Sequence, residues 1–174
     1  MTDDSPALRA IADLVPAVPD VRAPEIADGM VHLALAPGPQ HDATVELIRR
    51  QLAARIESPE RVYSDPLLEA PLLGLLRRPD LAVLPAPAAR PLLVVEVVSP
   101  HSPETDYHAK VRDYAAMGIP LYPLVDPRLG TGIVHSEPDY AGRRNFAFGD
   151  VITVGPWTLD TGVLRTYSDE PRTA

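Results

Sequence analysis

LLVVEVVSPHSPETDYHAKVRDYAAMGIPLYPLVD, residues 92–126, decides the fold. Leu92–Val98 is apolar on both faces of an extended chain, which marks a central strand covered on two sides. Ser99–Thr105, broken by Pro100 and Pro103, reads as a loop. Helical spacing then takes over in Asp106–Met117, with Tyr107, Val111, Tyr114 and Ala115 on an inner face and Gly118 suited to the C-terminal cap. Leu121–Val125 is another buried strand, closed by Asp126-Pro127. Strand, helix and strand in this order predict a mixed α/β protein.

Upstream, Asp80–Leu84 reads as a strand joined to Leu92 by the proline-rich turn 85–91. Ser5-Pro6 is a helix start, and Leu8, Ile11, Ala12 and Val15 recur at helical spacing before Pro16. Residues 16–24 read as a connector. Glu25-Ile26-Ala27, Asp28-Gly29 and Met30–Leu35 form a hairpin, because Asp-Gly suits a type I′ turn. Pro37-Gly38-Pro39 stops its second strand, and a helix follows from Asp42 to Ile56 with Val45, Ile48, Leu52 and Ile56 on one face. Residues 57–78 give a strand near Arg61–Ser64 and an apolar loop through Leu76. Downstream, Thr131–His135, Asn145–Phe148, Val151–Val154 and Trp157–Leu159 read as antiparallel strands joined by Gly, Asp and Pro turns. Trp157 is assigned to their core.

At 174 residues the chain is expected to be one domain over 1–174, loose only at about 1–5 and 168–174. It has no cysteine, which excludes disulfides, thiolate metal sites and cysteine nucleophiles. MTDDSPALRA lacks the apolar run of a signal peptide, and no stretch reaches membrane-spanning length. A cytoplasmic protein with no membrane partner is the expectation. The formal net charge of -8 predicts weak non-specific affinity for duplex DNA unless the arginines cluster. It does not exclude a nuclease, whose central carboxylates are masked by bound cations.

One lysine stands against fifteen arginines, and it is Lys110. A position that keeps the compact ammonium is a candidate for work that a planar guanidinium does poorly. Lys110 falls between Tyr107 and Tyr114, on the inner side of its helix. The plain alternative is an Asp106–Lys110 pair at i,i+4, worth about 0.3–0.5 kcal/mol on a surface. Glu96 lies inside the apolar strand, where a carboxylate must be paired or must ligate a cation. An ion pair with an arginine is its structural alternative. Asp80 opens the preceding strand after Arg77-Arg78-Pro79, where a turn role is the alternative. If the two strands are antiparallel neighbours, Asp80 and Glu96 come to one end of the sheet. Two carboxylates and a backbone carbonyl are hard oxygen ligands of the kind that magnesium and manganese prefer.

The segments RRPDLAVLP, LLVVEVVSPHSPETDYHAKVRDYAAMGIPLYPLVDP and FGDVITVGPWTLDT resemble the Uma-two family of restriction endonucleases, within the PD-(D/E)XK nuclease superfamily. PEIADGMVHLALAPGPQHD is similar too, so the resemblance covers most of the chain. It implies a restriction-endonuclease-like mixed β-sheet core flanked by helices, with extra antiparallel strands at the C-terminus. It also implies hydrolysis of nucleic acid phosphodiesters with Mg2+ or Mn2+. By motif position Asp80 matches the PD aspartate and Glu96 the glutamate of the (D/E)XK element. Val97 offers its carbonyl as a third ligand, and Glu25 matches the glutamate before the family's Asp-Gly turn, a further candidate ligand. Val98 stands where the superfamily carries its lysine; in this family that lysine is displaced to the following helix, at Lys110. There it would orient the attacking water and offset charge on the phosphate. Pro123 replaces an aromatic residue common in the family and removes a strand donor.

DNA is favoured over RNA as substrate by this likeness, and superfamily nucleases often act as homodimers. The rival reading is a catalytically silent nuclease fold that binds DNA or protein. His41, His101 and His108 match no zinc spacing, and loop histidines of this kind are expected to be solvated. Ser99 and Ser102 near His101 lack the elbow of a serine hydrolase.

Overall fold

The computed structural model describes residues 5–86, 89–100, 105–137 and 139–169. Helix α1 (Ser5–Leu14) leads through the proline-rich connector into the hairpin β1 (Glu25–Ala27) and β2 (Met30–His32). Helix α2 (Pro39–Ala53) is followed by strands β3 (Arg61–Ser64), β4 (Leu68–Ala70), β5 (Leu75–Arg77) and β6 (Leu81–Leu84). Next come β7 (Leu93–Val97), a π-helical turn (Thr105–Ala109) that runs into α3 (Lys110–Ala116), and β8 (Leu121–Asp126). The C-terminal part holds β9 (Thr131–Ser136), β10 (Gly142–Ala147), β11 (Val151–Val154) and β12 (Trp157–Asp160).

Six strands form the main sheet in the order β10-β9-β8-β7-β6-β3. Only β7 and β8 run parallel within it, because α3 carries the chain back to the starting end of the sheet between them. A second sheet has the order β2-β1-β5-β4, and β11 pairs with β12 as a ribbon. The expected mixed α/β sheet with antiparallel C-terminal strands is therefore present.

Side-chain alternation divides the core in two. Leu81, Val83, Leu93 and Val95 pack with Ile48 and Leu52 of α2 and with Trp157 and Leu159 of the ribbon. Ala82, Leu84, Val94 and Val98 face the opposite way, onto Tyr114 of α3 and Tyr122 and Leu124 of β8. Covering β6 and β7 on both sides stabilises the sheet by about 1.5–3 kcal/mol for each large apolar side chain fully buried. Glu96 shares its parity with Val94 and Val98, so it points toward α3.

Several boundaries differ from those the sequence suggests. The hairpin turn is as expected, with Asp28 and Gly29 both at positive φ (49° and 71°). Its second strand, however, ends at His32. The chain beyond pairs instead with the connector: Val21 bridges Leu35, Arg22 N–H donates to Ala34 O at 2.8 Å, and Ala36 N–H donates to Asp20 O at 2.8 Å. Helix α2 begins at Pro39 rather than Asp42, because proline at the first helical position has no N–H to leave unpaired. The stretch read as an apolar loop through Leu76 contains β4 and β5, each three residues long. The helix expected from Asp106 opens as a π-helical turn before becoming regular at Lys110. Pro123 stays inside β8 opposite Val134. His101 and Ser102 lie outside the described residues, as do most of the ends expected to be loose. Among the described residues no helix is long and apolar enough to cross a membrane.

Candidate active site

The register of β6 on β7 sets the site. Leu81 pairs with Val95 and Ala82 with Val94, so one further step brings Asp80 opposite Glu96 on the α3 face of the sheet. Both carboxylates are buried. Asp80 Oδ2 accepts a hydrogen bond from Val97 N–H at 2.8 Å, which locks the aspartate against the strand that carries Glu96. Glu96 Oε1 lies 2.8 Å from Lys110 Nζ and accepts from the Tyr114 hydroxyl at 2.5 Å. Lys110 Nζ is also 3.1 Å from Asp106 Oδ1. The Asp106–Lys110 pair at i,i+4 is present, and the partners of Glu96 are this lysine and a tyrosine rather than an arginine.

The π-helical turn helps place the ammonium. An extra residue in one turn rotates the following helix face, and Lys110 and Tyr114 together meet Glu96. Tyr122 fixes the same turn from β8, donating from its hydroxyl to Asp106 O at 3.0 Å. Tyr114 and Tyr122 meet edge to face with ring centroids 5.1 Å apart. The helix is held to the sheet by aromatic hydroxyls that end on site residues.

His41 and Arg22 complete the surroundings of Asp80. His41, in the first turn of α2, is buried, and its Nε2 lies 3.2 Å from Asp80 Oδ2 and 3.0 Å from Val97 O. Two acceptors at one nitrogen require Nε2 to carry the hydrogen. The expectation that His41 is solvated is overturned: the earlier start of α2 turns it onto the sheet edge. His108 is exposed, as expected of a surface histidine. Arg22 places one guanidinium nitrogen 3.2 Å from Asp80 Oδ1.

Charges in the site move the ionisations apart. Burial opposes ionisation of Asp80, yet the hydrogen bond and charge of His41, with Arg22 and Lys110, hold it down at about 2. Burial pushes Glu96 up to about 8; Lys110 resists the rise, while Asp80 and Asp106 add to it. Burial also acts against the charged form of Lys110, but the Glu96 and Asp106 carboxylates outweigh it and keep the ammonium protonated above the ordinary lysine range. Lys110 is therefore a hydrogen-bond donor and a fixed positive charge, not a proton acceptor. Glu96 changes charge near neutral pH, and so does His41, whose burial opposes the charged form but whose hydrogen bond to Asp80 and the Asp80 charge raise it above the ordinary histidine range.

Arg22, Glu25, Glu96, Val97, Asp106 and Lys110 line one cavity of about 290 Å³. A neighbouring hollow reaches Asp80 and His41, and Arg22 lines both. Glu25 shares the first cavity, but Arg77 donates to its Oε2 at 2.8 Å and Arg78 N–H to its Oε1 at 2.9 Å. The structure thus brings Asp80, Glu96, Val97 and Lys110 together and leaves Glu25 beside them, bound to its own arginine.

The donor set suits a hard divalent cation by type: two carboxylates in register, Asp80 and Glu96, and a backbone carbonyl. Among the described residues no three His, Cys, Asp or Glu side chains form a metal cage. Two carboxylates plus a carbonyl is a smaller set than that. Every oxygen of Asp80 and the Val97 carbonyl is engaged by His41, Arg22 or Val97 N–H, so a cation must share or displace these contacts.

A family model, Uma2, described as "Putative restriction endonuclease", matches residues 14–160. The chain belongs to the Uma2 family. Among solved structures, the Uma2 chain is similar to "a putative nuclease belonging to DUF820" from Anabaena variabilis. The two are 17% identical, with a TM-score of 0.70 over 90% of this chain and 96% of that one, a likeness of fold. No curated protein matches the chain. Of the residues that sequence reasoning passed over, His41 had a signal, since Pro39 as a helix opener places it in the first turn. Arg22 had none, because its partners are distant in sequence.

Proposed function

We propose that this protein is a divalent-metal-dependent nuclease that hydrolyses phosphodiester bonds in nucleic acid, with DNA the favoured substrate. The observation that carries the reading is Asp80 in register with Glu96, with the only lysine of the chain on Glu96. Asp80, Glu96 and the Val97 carbonyl would hold Mg2+ or Mn2+, with Glu25 a more distant candidate. A bound ion of this kind polarises a phosphoryl oxygen and lowers the pKa of water. Lys110, kept protonated, donates a hydrogen bond toward the attacking oxygen and offsets charge gathering on the phosphate. His41 holds Asp80 and the Val97 carbonyl in place, and Tyr114 fixes the Glu96 carboxylate. The rival is a silent module with the same fold. It is favoured by the way protein donors already engage each Asp80 oxygen.

The deciding experiment is cleavage of supercoiled plasmid, single-stranded DNA and RNA with Mn2+, Mg2+ or EDTA, for wild type and Asp80→Ala. Cleavage that needs the ion and disappears in the variant supports the nuclease and identifies its substrate. Equal background in both proteins gives the silent module the lead.

Metal binding should also depend on pH through Glu96. The ion takes the carboxylate and not the acid, so binding must release the Glu96 proton. With that group at about 8, apparent affinity for Mn2+ is expected to rise about tenfold per pH unit up to about pH 8 and then level. Calorimetry at about pH 7 in buffers of different ionisation enthalpy should find close to one proton released. Glu96→Gln should abolish that release. Affinity that stays flat below pH 8 would show that Glu96 is not a ligand.

A further inference from the structure

Arg22 lies on the connector between α1 and β1, a stretch without regular structure of its own. The two backbone hydrogen bonds to Ala34 and Ala36, with the Val21–Leu35 bridge between them, draw this connector out as a strap beside the site. From the strap, Arg22 reaches inward. One of its terminal nitrogens is shared among Asp80 Oδ1 at 3.2 Å, Asp65 Oδ1 at 3.4 Å and the Arg78 carbonyl at 3.4 Å.

These contacts are of a different kind from those of a structural arginine. Charge-assisted pairs run about 2.7–2.9 Å and are often bidentate. Arg77 shows that pattern, with contacts of 2.8 Å to Glu25 and 2.9 Å to Asp113 and a side chain only 2% exposed. Among the described residues the guanidinium contacts of Arg22 are all long and form no fork, and its side chain is 24% exposed. It also borders both hollows, the one that reaches Glu96 and the one that reaches Asp80. A guanidinium cannot relieve crowding by losing its proton. Beside a dication on the same carboxylate it must swing away. The remaining protein acceptors at hand are the Arg78 carbonyl and Asp65, exposed at the rim; a phosphate offers the planar fork a better partner.

Building on the nuclease reading, we propose that Arg22 is a displaceable counter-cation. It neutralises Asp80 until a divalent ion takes that oxygen, and the released guanidinium then pairs with a phosphate of the nucleic acid strand. Ion and strand therefore help each other bind, and by reciprocity each strengthens the other by the same factor. Without a strand, the ion must displace Arg22 with no new partner to receive it.

The test is calorimetry of Mn2+ binding to wild type, Arg22→Ala, Arg22→Lys and Asp80→Asn, without nucleic acid. Arg22→Ala is expected to bind Mn2+ about tenfold more tightly than wild type, within the usual range of coupling between sites. Arg22→Lys, which keeps the charge, should stay near wild type, and Asp80→Asn should lose the ion. A labelled DNA oligonucleotide, single-stranded and duplex, is then titrated with Ca2+ present or absent. The ion should strengthen binding about tenfold in wild type and little in Arg22→Ala. A merely structural Arg22 would give unchanged or weaker Mn2+ affinity in Arg22→Ala. With the ion still lost in Asp80→Asn, that result overturns this inference and leaves the nuclease reading standing. Mn2+ binding indifferent to both positions, or absent from all four proteins, overturns the two together.

Discussion

Lys110→Ala is expected to slow metal-supported cleavage by about 10²–10³-fold, the scale on which one preorganised donor acts on developing charge. Lys110→Arg should recover little of that loss. The reason lies in the shape of the socket. Nζ sits 2.8 Å from Glu96 and 3.1 Å from Asp106 with a side chain 6% exposed, between a strand and a helical turn that tyrosine hydroxyls hold in place. A guanidinium is wider and planar, and entering this space displaces Asp106 or turns its fork away from the cavity. Arg22 and Arg77 already supply that chemistry to the neighbourhood, so a further arginine adds charge without the point donor. Removing the charge outright leaves two buried carboxylates sharing no cation, which also costs stability. Lys110→Arg is therefore the sharper probe, since it keeps the charge. Turnover of plasmid is measured at temperatures where circular dichroism shows each protein folded. Wild-type turnover in the arginine variant alone would mean that Lys110 supplies only charge, and wild-type turnover in both variants would remove it from the chemistry.

The parts legible in the sequence were those in which one physical pattern dominated. Leu92–Val98 and Leu121–Val125 are apolar on both faces because α2 and the C-terminal ribbon cover one side of the sheet and α3 the other. A carboxylate in such a run stands out, and so does a single lysine on an inner helix face. Asp80 became readable once its strand was paired with that of Glu96. The strands β4 and β5 were not, since three residues give no alternation to detect, and Leu72 and Leu73 between them are exposed leucines that blur the pattern.

His41 and Arg22 failed for different reasons. Pro37-Gly38-Pro39 has the pattern of a strand stop, but its last proline is also the first residue of α2, and the helix carries His41 onto the sheet edge. Arg22 contacts residues 65, 78 and 80, and the segment that carries it is extended by pairing with residues 34–36. No local periodicity encodes such a strap. The carboxylates and Lys110 could be found by their improbable surroundings, whereas Arg22 is placed by tertiary contacts alone.

Arg77→Ala should be the most destabilising single change near the site, costing about 3–5 kcal/mol, the usual penalty for stranding buried charges. The guanidinium joins three elements. From β5 it donates through Nε, at 2.9 Å, and through a second nitrogen to Asp113 Oδ2 on α3, and through a third at 2.8 Å to Glu25 at the start of β1. Asp113 lies one helical turn beyond Lys110 and is itself buried, so without Arg77 its charge faces the interior with only Arg112 at hand. Arg112 is 58% exposed and also pairs with Asp28, a surface contact of small worth. For a domain of this size, about 2–4 °C of melting temperature per kcal/mol translates the loss into a fall of roughly 6–20 °C. Arg77→Lys should recover only part of it, because one ammonium cannot span Glu25 and Asp113 as the fork does. Thermal melts of Arg77→Ala, Asp113→Asn and the double variant close the cycle. The double variant should be markedly more stable than the sum of the singles predicts, since neutralising Asp113 removes the charge that the arginine had balanced. Strict additivity, or a fall of only a degree or two in Arg77→Ala, would mean that α3 is held by its tyrosines and apolar face, and that this ion network adds nothing to the support of Lys110.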